Sequence, residues 1–380
     1  METTSTKNIE FQDLSKSERV FIDRIRGLSI IRVVLVHLGL SWFYTPYSQF
    51  VHNLLPLLFF VSGAVSFYSL SRSNGFGLYL IKRLLSIVGP FYVIALSAMV
   101  VFWIYNNQAP SFNIKEIVRW LTIIPESSDT PFPMGQIWFI HAMVIIVLVT
   151  VPFLVMARNS SVPLLFLIIF SIVLSVFHQS IGVSNNFSIL GHNFYQGLVN
   201  VGFFVFGALY YKRLELFDFK FLLGLLIVSM TVALTNVFWL NVDVNMANHT
   251  YAPDTYYLSG SYAAILSVLL LKRLINKILD DWSLADRVVL FFSKHAYSVF
   301  IVHSFSIYFL ETKFGLVNVI DDLVLAAVKI FSVFMISAAI SVPVTWATNW
   351  VTGKAKGRIQ SIISQDSKRS DQLTSAKPLD

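Results

Sequence analysis

Apolar runs long enough to cross a hydrocarbon core, about 17 to 25 residues each, recur along this chain from end to end with short polar breaks between them. The composition agrees. The chain is 56% hydrophobic and only 13% charged, against roughly a quarter charged in a soluble domain, so a water-soluble fold is a poor reading. We expect an all-α polytopic membrane protein with spans near 27–44, 50–70, 84–104, 136–157, 162–178, 194–211, 220–240, 256–271, 295–310 and 323–350.

Charge fixes the expected orientation, because Lys and Arg concentrate in loops that stay in the cytoplasm. With the N-terminus inside, the outer loops hold only Lys115, Arg119 and Lys313, and Arg32 and Lys329 fall inside spans. Every other one of the 28 basic residues lies in an inner segment. One missed or invented span would invert the later loops and destroy the alternation, so ten spans with both termini cytoplasmic is the consistent count. The net charge of +7 then reports topology and contact with anionic membrane lipids, and no nucleic-acid partner is expected. With no Cys, disulfides, thiolate nucleophiles and Cys-based metal sites are excluded, and no metal site is expected.

The organisation reads as a polar cytoplasmic arm over 1–23, one membrane domain over 24–352 and a basic, mobile cytoplasmic tail over 353–380. The first twenty residues lack the apolar core of a cleavable signal peptide, so the first span itself directs insertion. Residues 112–124 have the apolar spacing of a helix lying on the outer surface. The outer loop 240–257, rich in Asn, Asp and Tyr, reads equally as a solvated connector or as a sugar-holding surface.

The polar groups inside the spans narrow the chemistry. Arg26 and His37 are eleven residues apart, about 20° beyond three full turns, so they leave one helix face with roughly 16 Å of rise between them. Arg26 then lies at the cytoplasmic headgroups and His37 near mid-membrane. Arg32 is about 240° round from Arg26 and needs a separate partner. A polar group at the bilayer centre is costly and faces a protein interior or a cavity, which leaves His37 either as a functional group or as an interhelical hydrogen-bonding residue. Arg26 reads either as a ligand for an anion or as a snorkelling anchor. Further along, Ser62 and Gly63 sit in FFVSGAVSF, Lys82 and Arg83 open the third span ahead of Gly89 and Pro90, Trp138 and His141 open the fourth, and Ser298 and His303 fall in SKHAYSVFIVHSF.

In this order the segments resemble the acyltransferase-3 family of integral membrane acyltransferases. The family pattern has an Arg, ten residues and a His in the first span, as at Arg26 and His37. A phenylalanine-rich FFxxSG element follows, matched by Phe59, Phe60, Ser62 and Gly63. A basic start to the third span, a W-F element opening the fourth and a late serine-to-histidine element, matched by Ser298 and His303, complete it. The family usually carries an Arg where this chain has Ser86, and Gly89 precedes the proline, so Lys82 and Arg83 are left to supply any phosphate binding there. The short tail leaves no room for the extracytoplasmic domain that some members carry.

The resemblance implies transfer of an acyl group, acetyl or succinyl, from cytoplasmic acyl-CoA as co-substrate, with no bound cofactor, to a hydroxyl of a cell-surface or lipid-linked glycan. The implied seat is the inner, or plasma, membrane of the cell. Arg26, Lys82 and Arg83 are then the donor-binding cations, since CoA phosphates favour Arg and Lys. His37 is the general base, suited by an ordinary imidazole pKa of about 6.5. Arg26 doubles as the far end of a ruler that sets the acyl carbonyl beside His37. Arg32, Ser62, Trp138 and His303 are possible supports, His303 and His141 reading first as core histidines. The competing class is a transporter or flippase of a glycolipid, disfavoured by the lack of a visible repeat or of paired broken helices.

Overall fold

The computed structural model describes residues 15–38, 55–71, 75–106, 137–183, 187–189, 192–317 and 322–375. Among them are twelve α-helices. In chain order they are α1 (Lys16–His37), α2 (Leu55–Ser71), α3 (Phe76–Asn106), α4 (Ile137–Met156), α5 (Val162–Ile181), α6 (Tyr195–Lys212), α7 (Phe219–Phe238), α8 (Thr255–Leu270), α9 (Lys272–Asp281), α10 (Ser283–Lys294), α11 (Ala296–Phe314) and α12 (Leu323–Ser375). The only sheet among the described residues is a two-residue pairing of Ser188–Ile189 with His192–Asn193.

A helix stands at each of the ten expected spans. Five of them (α3, α4, α5, α7 and α12) are long and apolar enough to cross a membrane alone. Two bent pairs, α8 with α9 at 57° and α10 with α11 at 90°, raise that to seven. The chain is a polytopic, all-α membrane protein. Local chemistry sets the ends of several helices: Ser15, Asp218 and Asp254 accept hydrogen bonds from the amides of Glu18, Phe221 and Tyr257. Gly182 and Gly315, both at φ +67°, close α5 and α11 in the left-handed conformation that glycine adopts without strain.

Hydrogen bonds between helix ends show the alternation directly. At one end of the bundle Arg19 of α1 donates to Tyr68 of α2 at 2.6 Å. There too Arg158, just past α4, donates to the Leu70 carbonyl at 3.0 Å, Lys212 closing α6 donates to the Ala157 carbonyl, and Lys272 pairs with Glu18. This basic end gathers the segments that carry the cations. At the opposite end Gln179 and Thr255 both donate to Asn236, Tyr195 to the Pro253 carbonyl, and Lys329, buried in α12, pairs with Glu311 of α11 at 2.8 Å.

Helix extends beyond the expected spans in three places. The helix that holds the first expected span begins at Lys16, where Ser15 caps its polar first half; its described part ends at His37, and 39–54 lie outside the described residues. The inner segment 272–294 is not a loop but two amphipathic helices, α9 and α10. The tail does not loosen at Thr352, since α12 continues as helix to Ser375. The surface helix expected over 112–124 lies outside the described residues. The loop 240–257, expected on the outer side, is organised by His249, whose ring bridges Asp254 at 2.7 Å and the Asp243 carbonyl at 2.8 Å.

Close helix approach positions the site. A Cβ on Gly63 of α2 would lie 1.7 Å from the Phe204 carbonyl oxygen of α6, and one on Gly207 of α6 would lie 1.9 Å from that of Phe60. These two glycines bring the backbones of α2 and α6 into reciprocal contact, the role that small residues play between membrane helices. Gly27 admits the Val289 carbonyl of α10 against α1 in the same way, its missing Cβ falling 2.1 Å from that oxygen.

Candidate functional site: a histidine pair and a cluster of cations

His37 and His303 meet. Nδ1 of His37 lies 2.9 Å from Nε2 of His303, with the rings stacked at 4.9 Å between centroids. His303 occupies the eighth position of the 19-residue α11, near mid-depth, and is fully buried, whereas His37 is exposed. Nδ1 of His303 lies 3.1 Å from the Val299 carbonyl. A carbonyl only accepts, so this bond assigns the proton of a neutral His303 to Nδ1 and leaves Nε2 as an acceptor. His37 must then donate from its own Nδ1, which puts the lone pair of its imidazole on Nε2. The relay from the Val299 carbonyl through His303 therefore selects the His37 tautomer in which Nε2 can take a proton.

Aromatic packing and polar contacts hold α11 in register. Phe300 sits 6.1 Å from the His303 ring and 4.7 Å from Phe139, which stacks on Phe59 at 5.0 Å. On the other side of α11, Thr345 of α12 bonds Ser298 at 2.8 Å and His295 at 2.9 Å, and Ser337 bonds Ser306 at 2.9 Å. His295 marks the 90° break between α10 and α11, so Thr345 fixes both the elbow and the first turn of the helix that carries His303.

The cations stand at the basic end. Arg26 is partly exposed and bonds Asp23 at 3.0 Å. Arg83, two turns into α3, reaches the Ser62 carbonyl at 3.4 Å, and among the described residues its buried Nε has no hydrogen-bond partner. Arg26 is close enough to Arg83 for the two charges to be felt mutually. Lys356 of α12 lies near both Lys82 and Arg83 and donates to Ser86 at 2.8 Å. The arrangement concentrates positive charge, with Asp23 bonded to Arg26, which is what an anion-binding surface needs.

The remaining expected residues fall as follows. Ser62 contributes its backbone carbonyl to Arg83. Arg32 is half-buried on α1, about 140° around the helix from His37, away from the pair. Trp138 is half-buried at the start of α4, 6.1 Å from the exposed Tyr251 of the outer loop. His141 is buried against Phe194 at 6.0 Å. Sequence reasoning missed Lys356 and Thr345. Lys356 was placed in a loose tail; the apolar stripe of α12, read to its end, stops near residue 350, and no one-helix pattern points back to α3.

A family model described as an acyltransferase domain, Acyl_transf_3, matches residues 19–350. Comparison with curated proteins and with solved structures found no match.

Proposed function

As a member of the acyltransferase-3 family the chain is a membrane acyltransferase, and we propose that it moves an acetyl or succinyl group from acyl-CoA to a hydroxyl of a cell-surface or lipid-linked carbohydrate in the inner, or plasma, membrane. The basic end is cytoplasmic in this reading, with both termini inside, and the phosphates of the donor dock on Arg26, Lys82 and Arg83. The pantetheine arm runs along α1 toward His37. Nε2 of His37 takes the proton of the acceptor hydroxyl as its oxygen attacks the thioester carbonyl. Nδ1–H of the imidazolium so formed stays bonded to Nε2 of His303. Collapse of the tetrahedral intermediate breaks the carbon–sulfur bond, and the proton on His37 passes to the departing thiolate, which restores the neutral ring.

The single observation that supports this assignment most is the bond between His37 and His303, because it leaves the exposed histidine with a basic Nε2 while the buried one serves as its acceptor. The test is incubation of purified protein with acetyl-CoA carrying a labelled acetyl group and a carbohydrate acceptor. Labelled ester is expected from the unaltered protein and not from His37→Ala at equal membrane level; full activity in His37→Ala would sink the general-base role.

A further inference from the structure

The donor-binding cations come from the first and third spans in the reading above, and α12 brings a further cation to them at Ser86. Ser86 donates its own hydroxyl proton to the Lys82 carbonyl at 2.7 Å, which turns its lone pairs outward, and Nζ of Lys356 approaches them to 2.8 Å. The ammonium is half-buried and stands beside Lys82 and Arg83. Among the described residues no carboxylate is bonded to it.

Gly89 explains how Lys356 arrives. Glycine at position 89 leaves room for α12: a Cβ there would lie 2.6 Å from the Thr352 methyl. Thr352 is one turn before Lys356 on α12, and Gly89 is one turn after Ser86 on α3, so the antiparallel pair meets at both levels. The glycine lets the helices touch, and the serine is short enough to admit the lysine. The glycine and the serine serve one contact, whose α12 residues, Thr352 and Lys356, lie outside the matched residues 19–350.

We propose that Lys356 is a donor-binding residue that contacts a phosphate of CoA, supplying from α12 the cation that Ser86 does not. The buried Nε of Arg83, which has no hydrogen-bond partner among the described residues, is a second sign that an anion completes this site. The shared chemistry is a phosphate ester, and CoA is the source to which the proposal commits; it rests on the acyl-CoA reading above.

The experiment measures CoA binding to purified full-length protein in nanodiscs of phosphatidylcholine, with phosphate-free pantetheine as control. Lys356→Ala should weaken CoA about tenfold, the order of one charge-assisted hydrogen bond, and leave pantetheine little changed. Lys356→Arg should keep most of the affinity. The double change Ser86→Arg with Lys356→Ala returns the cation to α3 and should recover CoA binding. Equal affinity in Lys356→Ala overturns the proposal, as does a loss that neither Lys356→Arg nor the double change repairs, because that pattern marks a purely structural lysine. Nanodiscs containing phosphatidylglycerol supply the other arm: if Lys356→Ala alters retention of that lipid and not CoA affinity, the lysine holds a lipid headgroup and the proposal fails. If the unaltered protein binds no CoA, the donor reading itself falls, and this proposal with it.

Discussion

Arg24 and Arg26 stand two residues apart on α1 and meet opposite electrical surroundings. Arg24 is 5% exposed and fully bonded, to Asp286 at 2.8 Å, Asp280 at 2.6 Å and Asn276 at 3.0 Å, all from α9 and α10. Arg26 is 28% exposed and, among the described residues, holds only Asp23, three residues back on its own helix. One side of α1 is closed by carboxylates, and on the other Arg26, Lys82, Arg83 and Lys356 gather, with Asp23 bonded to Arg26. Equal charges at equal depth therefore do different work. Arg24 ties the amphipathic elbow to the bundle, while the cations on the opposite side form the proposed donor surface.

Changes on the two sides should separate stability from donor use. The largest effect is expected at Arg24→Ala, which removes three bonds from a buried guanidinium and should cost about 2–3 kcal/mol, in the range for bonds to charged groups. Thermal unfolding in detergent measures it, and an unchanged midpoint would break the contrast.

On the other side, Arg83→Ala should raise the KM for acyl-CoA about tenfold, the order of one lost charge-assisted bond. It should not lower the stability of the donor-free protein, because it removes a buried cation that no carboxylate compensates. Loss of stability with donor KM intact would reassign Arg83 to structure.

A smaller effect distinguishes ligand from anchor at Arg26. The donor KM should rise more in Arg26→Ala than in Arg26→Lys, and Arg26→Lys should still fall short of the original, because a guanidinium grips phosphate through two bonds and an ammonium acts as a point charge. Donor kinetics identical in both variants would leave Arg26 a snorkelling anchor.

The smallest lies at the far end. Burial of His249 opposes its charge, but the bond and charge of Asp254 outweigh this, with the Asp243 carbonyl and carboxylate adding to them, and its pKa rises above 6.5. Tyr256 packs against the ring at 5.2 Å. A raised folded pKa means the clamp contributes fully below the unfolded value of 6.5 and fades as pH climbs through the raised one. The stability gap between unaltered protein and His249→Ala should thus be widest in acid and close toward alkaline pH; a gap that widens with pH would contradict the sign.

Helix places were legible in the sequence because lipid demands long apolar runs, and each of the ten runs has its helix. Places where polar residues form helix were not. The start of α1 at Lys16 and the pair α9–α10 are amphipathic, and their apolar faces are too short to stand out beside true spans. Arg26, Lys82, Arg83 and His37 could be named from one-dimensional spacing and from the family pattern. The partnership of His37 with His303 joins residues 266 positions apart, and the contact of Lys356 with Ser86 joins residues 270 apart. No periodicity within one helix encodes such pairs.

The central claim is that His37 is the base and His303 the group that holds its proton in place. The direct measurement is kcat and donor KM for acetyl transfer in unaltered protein, His37→Ala and His303→Ala. His37→Ala should lose activity by roughly 10²–10⁴ in kcat, the usual contribution of a general base. His303→Ala should lose less, and in both the donor KM should stay near its original value, because the phosphates bind at the basic end. A His37→Ala enzyme that retains kcat, or losses that fall on donor KM in place of kcat, would contradict the account.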